Sequence, residues 1–391
     1  MEKKKIGIIG ASTSGFLACK YMLSKGFDPV VFEARSGTTK LQSPMPWYQF
    51  LDFPWSSSVT EVFDYIQSYA QYFDLIKHIR LNTKVIGIEY DHHHQGLPDD
   101  ELEMFRSWKL WNGDGQPFQA EGKWKFFVED TLNNSKEECT RWGFSKFVES
   151  YINKKHQLAK YGMVPKYSFL QEINSCTPAI VPKKFYDKVE EGIIILTKSQ
   201  SFSFCEEGIL VDGGEEAITT PLKTDLVILA TGFRGDKKLK DIFVSQTFQD
   251  FMAGSPSETL PLYREIIHPR IPQLAVIGFS ESYSNLFTSE MRVRWLAELL
   301  DVTFKLPSIK EMENDIMEWD QYMKRYSGRF YRILGHVLQY RRSCIGALHI
   351  WYNDQLCKDM GWNLKRKNGF FTKLFEPYGP LDYVPVPSMS N

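Results

Sequence analysis

Short apolar runs and one amphipathic stretch alternate over residues 1–35. Residues 6–9 form an apolar run bounded by glycine, which is typical of a strand buried on both faces. Residues 16–25 place apolar side chains on one helical face and end at Gly26, a common C-terminal stop. Residues 30–32 form a second apolar run that ends at Glu33. The pattern predicts a β-α-β unit and therefore a parallel sheet.

The remainder of the chain predicts further helices and strands. The clearest helix is expected over residues 289–300, and another over residues 59–77. Residues 129–141 are polar and are expected to form an irregular surface connection. The apolar runs that predict strands are residues 83–90, 123–128, 193–196, 225–230 and 274–277. Together with the β-α-β unit, these elements favour an α/β fold.

The composition is that of a globular protein with nearly balanced charge. Of the 391 residues, 43% are hydrophobic and 15% aromatic, which is enough to bury a large core and excludes global disorder. The 47 basic and 48 acidic residues nearly cancel, which removes the bulk electrostatic case for binding nucleic acid. No apolar run is long enough to span a bilayer, and no signal peptide is expected.

The cysteines and histidines carry no metal-binding pattern. The six cysteines lie far apart without a Cys-x-x-Cys pair, which fits neither a zinc site nor a disulfide framework and indicates a reducing compartment. His92, His93 and His94 are adjacent in a polar stretch, and adjacent histidines cannot all point at one ion. We therefore expect no metal site and a cytoplasmic protein.

A glycine-rich turn between the first strand and the first helix carries the strongest motif. It consists of Gly10, Ala11, Ser12, Thr13, Ser14 and Gly15, at the place of a dinucleotide-binding Gly-x-Gly-x-x-Gly fingerprint. In that fingerprint the first glycine makes the tight turn, the second lets the backbone approach a pyrophosphate, and the third lets the helix pack on the strand. The helix N-terminus stabilises the phosphate charge. Glu33 lies where it can accept hydrogen bonds from a ribose diol.

Ser12 occupies the position of the second glycine. Its side chain would crowd the pyrophosphate at a cost of about 1–3 kcal/mol where nothing relaxes, but a small residue can fit and its hydroxyl can bond a phosphate oxygen. The alternative to a dinucleotide site is an ordinary structural turn, and the β-α-β setting with Glu33 favours the dinucleotide site. The motif by itself does not distinguish FAD from NAD.

Several segments together resemble the plant flavin-containing monooxygenases. They are residues 10–15, 47–55, 81–85, 225–233 and 272–300, and the resemblance covers most of the chain. It implies an α/β fold with a Rossmann-like FAD-binding domain, a parallel sheet with flanking helices, and a reduced remnant of a second nucleotide-binding domain. We expect residues 1–135 and 205–391 to form the discontinuous FAD-binding domain. Residues 136–204 would be the remnant of the NADPH-binding domain.

The resemblance also implies a monooxygenase that uses FAD and NADPH. In the family NADPH reduces FAD, and reduced FAD reacts with molecular oxygen to give a C4a-hydroperoxide that transfers one oxygen atom to a nucleophilic nitrogen or sulfur of a small molecule. The cofactor carries the difficult chemistry, so few acid–base side chains are expected. The cofactor-binding residues implied by position are Gly10, Ala11, Ser12, Thr13, Ser14, Gly15, Glu33, Thr231 and Gly232. Gln42 falls roughly where the family places an active-site amide.

Three departures distinguish this chain from the family pattern, and Ser12 is the first. The second is the absence of the family's Gly-Gly-x-Trp loop, because residues 33–37 run directly into residues 38–42. Third, between Val128 and Asp225 the chain has neither the family's F-x-G-x-x-x-H segment nor a second glycine-rich fingerprint for NADPH. One alternative to an active monooxygenase is therefore an impaired relative that cannot use NADPH, acting by binding or without function. Another is a Rossmann protein with a single nucleotide site for NAD.

Overall fold

The chain divides into two units. The computed structural model describes residues 4–34, 50–53, 62–85, 87–88, 135–165, 168–169, 184–197, 201–212, 221–227, 239–253, 259–271, 274–282, 284–333, 344–346, 348–364, 367 and 378–383. Unit 1 comprises Met1–Phe127, Ile173–Cys176 and Gly235–Asn391, and unit 2 comprises Val128–Glu172 and Thr177–Arg234.

The N-terminal part of unit 1 is a parallel three-stranded sheet with helices. Its elements are β1 (Lys5–Ile9), α1 (Thr13–Ser24), β2 (Asp28–Phe32), α2 (Val62–Tyr72), a 3-10 turn (Ile76–His78) and β3 (Ile79–Arg80). The strand order is β1-β2-β3, and both pairings are parallel. The β-α-β unit predicted from the apolar pattern is therefore confirmed. The helix predicted over residues 59–77 is also found, but α2 begins and ends within that range.

The described residues of unit 2 form helices and an antiparallel sheet. Its elements are α3 (Ser135–His156), α4 (Phe185–Glu190), β4 (Ser201–Cys205), β5 (Gly208–Asp212) and β6 (Leu222–Lys223). β5 pairs with both β4 and β6. The irregular connection predicted over residues 129–141 is wrong from Ser135 onward, where α3 begins. Lysine and glutamate, which follow Ser135, are strong helix formers although they are polar.

The strand predicted over residues 193–196 is wrong. These residues form bends and irregular backbone, and the side chains of Ile193 and Ile195 are 66% and 82% exposed. An apolar run forms a buried strand only where another layer covers it. Leu158 is the one buried apolar side chain among the described residues of unit 2, so those residues provide no such layer for residues 193–196.

The C-terminal part of unit 1 is mainly helical. Its elements are α5 (Gln246–Ala253), β7 (Glu281–Ser282), α6 (Asn285–Leu300), α7 (Ile309–Ile333), β8 (Cys344–Gly346), α8 (His349–Asp359) and a 3-10 turn (Pro380–Tyr383). β7 and β8 pair in parallel. The helix predicted over residues 289–300 is confirmed and begins earlier, at Asn285. The strand predicted over residues 274–277 is reduced to a single bridge between Ile267 and Ala275.

Of the three remaining strand predictions, only the one over residues 83–90 has a counterpart among the described residues. Residues 83–85 are irregular, and Ile88 forms one parallel bridge with Phe243. Residues 225–227 are not a strand, and residues 228–230 and 123–128 lie outside the described part of the chain.

The apolar core of unit 1 is built around α1 and α6. Phe16, Leu17 and Met22 of α1 are almost fully buried, as are Met291 and Trp295 of α6. They belong to one cluster that also takes in side chains of β2, α2 and α8. Burying one such large apolar side chain contributes about 1.5–3 kcal/mol. The helix α1, which follows the glycine-rich turn, is therefore held by this apolar core.

A largely buried arginine joins three helices next to this core. The Arg264 guanidinium donates from Nε to Asp359 Oδ2 at 2.8 Å and from one terminal nitrogen to Asp315 Oδ1 at 3.0 Å. Trp295 Nε1 donates to the same Asp359 oxygen at 3.0 Å. Burial raises the pKa of Asp315 to about 6, although the nearby Arg264 charge opposes this rise. The cluster links α6, α7 and α8.

Candidate functional site

The turn of residues 10–15, called the fingerprint turn below, begins directly after β1. Gly10 has a φ of +99°, a backbone conformation that favours glycine. Its N–H donates to the carbonyl oxygen of Phe32 at 2.8 Å, which ties the end of β1 to the end of β2. The first glycine of the motif therefore makes the tight turn expected of it.

Gly15 is required by close packing. A Cβ atom added to Gly15 would lie 1.9 Å from the carbonyl oxygen of Gly10. Backbone cannot retreat from such a contact as a flexible side chain can. Only glycine at this position allows α1 to begin so close to β1, which is the part the third fingerprint glycine plays in dinucleotide sites.

Ser12 adopts an ordinary backbone conformation. Its φ is −87° and its ψ is −176°, so a side chain at this position introduces no backbone strain. Ser12 is the N-cap residue of α1, and its carbonyl oxygen accepts the N–H of Phe16 at 3.0 Å. The side chain is exposed and makes no capping hydrogen bond. The serine is therefore compatible with the turn in the protein.

Glu33 is fixed beside the fingerprint turn. Its Oε2 atom accepts the N–H of Ala11 at 2.8 Å. Its backbone is held too, because its N–H donates to Arg80 O at 2.9 Å and its carbonyl oxygen accepts the N–H of Thr83 at 2.7 Å. The structure thus brings together the acidic residue and the turn, as the sequence predicts for a ribose-binding carboxylate.

A cavity of about 1560 Å³ lies along β1 and the fingerprint turn. Gly10, Ser12, Ser14, Gly15 and Glu33 are among its lining residues. Thr83, Lys84 and Val85 line it beside Glu33, and residues 274–279 line it as well. The cavity is large enough for a dinucleotide-sized ligand, since sites for drug-sized ligands measure about 300–1,000 Å³.

Gly278 brings a second segment to the fingerprint turn. Its φ is +81°, and an added Cβ would lie 2.7 Å from the Ser14 hydroxyl oxygen. The same Cβ would lie 3.7 Å from the hydroxyl oxygen of Ser289 on α6. The N-terminal half of α6 and the fingerprint turn therefore meet around this glycine.

Three of the predicted site residues lie outside the described part of the chain. They are Gln42, Thr231 and Gly232. Their roles stay predictions. The other predicted residues, Gly10, Ala11, Ser12, Thr13, Ser14, Gly15 and Glu33, come together at one end of the sheet.

A buried polar cluster next to α1 is absent from the sequence predictions. We call it the Glu290 cluster, and its members are Lys20, Tyr21, Leu51, Asp52 and Glu290. The fully buried Glu290 carboxylate accepts the Tyr21 hydroxyl on one oxygen and the Leu51 N–H, at 2.6 Å, on the other. Lys20 forms an ion pair with Asp52. The cluster fastens residues 50–53 to α1 and α6.

Burial shifts the pKa values of the Glu290 cluster toward the uncharged forms. Burial raises the pKa of Glu290, and the hydrogen bonds from Tyr21 and Leu51 oppose the rise only in part. Burial likewise lowers the pKa of Lys20, against the opposing hydrogen bond to Asp52. No sequence signal marks this cluster, because Glu290 and Tyr21 are 269 positions apart in the chain.

Metal binding and membrane insertion find no support in the described part of the chain. No three His, Cys, Asp or Glu side chains within it are placed to hold a metal ion together. His92, His93 and His94 lie outside it. Among the helices of the described ranges, none combines the length and apolar character that a membrane crossing requires.

Comparisons with known proteins agree on one family. The family model of the flavin-binding monooxygenase-like proteins matches residues 124–340. The chain is 29% identical to the probable flavin-containing monooxygenase 1 of Arabidopsis thaliana, over 98% of this chain and 96% of that protein. It is 30% identical to the putative flavin-containing monooxygenase 2 of the same plant, over 92% of this chain and 97% of that protein.

The alignments also show that this chain is internally shorter than its relatives. The alignment with the first Arabidopsis protein spans 530 residues, whereas the whole chain has 391. Many residues of that relative therefore have no counterpart here.

A solved structure shows the same fold. The S-allyl-L-cysteine S-oxygenase from Allium sativum matches with a TM-score of 0.52 and 14% identity, over 93% of this chain and 89% of that one. Its likeness agrees with the parallel sheet, the flanking helices and the fingerprint turn of unit 1. The chain belongs to the flavin-binding monooxygenase-like family, as a member of its plant flavin-containing monooxygenases.

Proposed function

We propose that the cavity beside the fingerprint turn binds FAD and that the protein is an FAD-dependent monooxygenase. The observation that carries this proposal is the contact between Gly15 and Gly10, with Glu33 fixed next to it at Ala11. A turn that tolerates no side chain at its last position, next to an anchored carboxylate, has the shape and chemistry that a dinucleotide needs. The residues present therefore fit the cofactor.

Each part of the site would bind a different part of FAD. The Glu33 carboxylate accepts the ribose hydroxyls, and its negative charge disfavours a ribose that carries a 2′-phosphate. The N-terminus of α1 faces the pyrophosphate and stabilises its charge. The apolar lining from β1, Met252 and Leu274 keeps water away from the rest of the ligand.

Bound and reduced flavin supplies the activation of molecular oxygen. One oxygen atom of O₂ would go to a nucleophilic nitrogen or sulfur of a small molecule, and the other would leave as water, formed with a hydride from NADPH and one proton from solvent. Gln42 and the pair Thr231 and Gly232 are the proposed remaining contributors, as active-site amide and cofactor contact. The Allium protein is named as an S-oxygenase, which supports sulfur among the candidate acceptors.

A second candidate function is a flavoprotein that NADPH reduces poorly. Two observations favour it. The relatives carry many internal residues that this chain lacks. The sheet described in unit 2 is antiparallel and three-stranded, whereas a dinucleotide fold is built from parallel strands joined by helices. We propose that unit 2 corresponds to a reduced NADPH-binding domain.

An absorbance spectrum followed by anaerobic reduction tests both candidates. The purified protein, reconstituted with FAD, should show flavin bands that dithionite bleaches. Rapid bleaching by NADPH would exclude the second candidate, and bands that persist with NADPH would exclude turnover driven by NADPH. Absence of flavin bands after reconstitution would contradict FAD binding itself.

A pair of variants, one at the start of β2 and one directly after its end, tests whether the flavin binds in this cavity. Glu33→Gln should weaken FAD binding about tenfold, because a hydrogen bond to a charged group is lost. Asp28→Asn lies at the other end of the same strand and away from the fingerprint turn, and should leave the affinity unchanged. Equal affinities for the two variants would place the flavin elsewhere.

A further inference from the structure

Strand β4 forms an unprotected edge of the unit 2 sheet. Among the described residues it pairs with β5 alone, and the strand order β4-β5-β6 leaves its other side without a neighbour. Sheet edges are usually protected by charged residues, proline or a bulge, because their unpaired N–H and C=O groups can pair with another chain. The β4 sequence, Ser-Phe-Ser-Phe-Cys, contains neither charge nor proline, and its pairing with β5 is regular along the whole strand.

The backbone of β4 directs the hydrogen-bonding groups of its two phenylalanines outward. Cys205 and Gly208 are partners across a two-residue turn, which makes them a hydrogen-bonded pair. Hydrogen-bonded and non-hydrogen-bonded pairs alternate along antiparallel strands. The N–H and C=O groups of Phe202 and Phe204 therefore point away from β5, toward the edge. No hydrogen bond joins these groups to another described residue.

The two phenylalanine side chains lie on one face of β4 and remain accessible. Phe202 and Phe204 are two positions apart, both are more than half exposed, and their ring centroids lie 5.8 Å apart. Ser203, which lies on the opposite face, is exposed as well. Exposed apolar side chains beside unpaired backbone groups are typical of a sheet edge that binds an added strand.

The sequence of β4 is complementary to itself. When two copies of β4 are aligned antiparallel with Ser203 opposite Ser203, Phe202 of each copy lies opposite Phe204 of the other. These are the residues whose N–H and C=O groups point outward, so each pair can exchange two hydrogen bonds. The same pairs place aromatic rings opposite each other, which is a favourable cross-strand combination. A shift by one residue would place Phe202 opposite Ser203, whose groups point toward β5, and would lose these hydrogen bonds.

We propose that this edge binds a second copy of the chain, by antiparallel pairing of β4 with β4 about a two-fold axis at Ser203. The occupant is an identical chain because one register satisfies the outward backbone groups and pairs the phenylalanines in both directions, as a two-fold contact requires. The two three-stranded sheets would join into one sheet of six strands. The contact involves residues of unit 2 only and does not depend on the proposed FAD binding.

Introduced cysteines test the register of this pairing. In a Cys205→Ser background, Ser203→Cys would place two thiols opposite each other at a non-hydrogen-bonded position. Antiparallel Cα atoms lie about 4.5 Å apart there, within the range that a disulfide spans. Diamide treatment of the full chain should therefore give a cross-linked dimer on a non-reducing gel. Glu207→Cys in the same background is the control, because this turn residue lies beyond β4, and it should give at least about tenfold less dimer.

Sedimentation equilibrium over a range of protein concentrations measures the association directly. Phe204→Lys removes one ring from each pair and puts a charge on the edge, so it should weaken self-association at least about tenfold. Phe147→Lys on α3 is the matched control, because its ring is 69% exposed but lies outside β4, and it should leave the dissociation constant unchanged. Thermal unfolding of each variant verifies that it remains folded.

Three results would overturn the proposal. The first is an unmodified chain that sediments as a monomer at every concentration. The second is equal weakening by Phe204→Lys and Phe147→Lys, which would place the contact elsewhere. The third is cross-linking of Ser203→Cys no greater than that of Glu207→Cys.

Discussion

Trp295 in unit 1 is fully buried, whereas Ile195 in unit 2 is 82% exposed, and each is typical of its unit. In unit 1 the apolar side chains of α1, β2 and α6 enclose one another. In unit 2 the strand residues Phe202 and Phe204 contact each other edge to face, yet they are 51% and 63% exposed.

This difference in burial indicates that unit 1 provides most of the stability and the proposed site. A small sheet with an uncovered apolar face adds little free energy of folding. The proposed flavin cavity is lined by unit 1 residues alone among those described. A chain can thus lack many of its relatives' residues and retain a complete core around the fingerprint turn, while unit 2 is left with apolar side chains at the surface.

The largest contrast should come from truncating one apolar side chain in each unit. Trp295→Ala should destabilise the protein by about 4 kcal/mol, because it leaves a large cavity in a packed core. Ile195→Ala should change the free energy of unfolding by less than about 0.5 kcal/mol, because the side chain is exposed. Urea unfolding followed by circular dichroism measures both. Similar losses of unfolding free energy in the two variants would contradict the difference in packing between the two units.

A side chain at Gly15 should have the next largest effect. Gly15→Ala should cost about 3 kcal/mol and abolish FAD binding, because the new Cβ meets the Gly10 carbonyl oxygen at 1.9 Å. Gly26→Ala is the matched control, because its Cβ would meet no atom within 4 Å. Only the positive φ would then destabilise this variant, by about 1 kcal/mol of unfolding free energy. Urea unfolding and flavin fluorescence report the two effects. Retained FAD binding in Gly15→Ala would refute the close-packed turn.

Glu290→Gln tests the polar cluster inside the same core. The carboxylate accepts two donors, and a glutamine amide would turn its own NH₂ group toward one of them, at a cost of about 2 kcal/mol. Glu298→Gln on the same helix is the control, since Lys25 keeps its second partner Asp301, and should cost less than about 1 kcal/mol. Equal losses of unfolding free energy in the two variants, measured by urea unfolding, would show that the hydrogen bonds of the Glu290 cluster do not stabilise the fold.

A further prediction concerns the pH dependence of stability at Asp315. Its pKa is about 6 in the folded protein and about 3.8 ordinarily. Below both values the group is protonated in both states. Between them the unfolded chain releases the proton and the folded protein retains it, so this group lowers stability as pH rises through that window. The stability of the unmodified protein relative to Asp315→Asn should therefore fall from pH 4 to pH 6.

Urea unfolding of both proteins at several pH values measures this trend. The difference should be flat above pH 7, where Asp315 is ionised in both states. A difference that grows as pH rises from 4 to 6 would contradict the raised pKa.

Local patterns predicted the elements that one stretch of chain determines by itself. β1, α1, β2 and α6 follow from apolar runs, glycine stops and helical spacing, and the structure confirms them. Residues 193–196 show why other predictions failed. Their apolar sequence is typical of a strand, but a strand needs a neighbouring strand and a covering layer, and neither is encoded within the run itself.

In the candidate site, too, local sequence predicted some features, whereas others depend on contacts between distant residues. Its glycines and Glu33 were predictable, because the fingerprint fixes their spacing in sequence. The contact between Glu33 and Ala11 depends on side-chain direction, and the Glu290 cluster depends on a contact between residues 269 positions apart. Such pairings arise only once the helices pack.

Glu33 has a consequence for how the cofactor preference of this protein can change. Its carboxylate is at once the proposed ribose acceptor and the partner of the Ala11 N–H. Replacing it to admit a 2′-phosphorylated nucleotide would remove the acceptor of that N–H and loosen the turn. The preference for one nucleotide and the conformation of the turn therefore depend on the same side chain. Any evolutionary or engineered change toward a different nucleotide must first supply another hydrogen-bond acceptor for the Ala11 N–H.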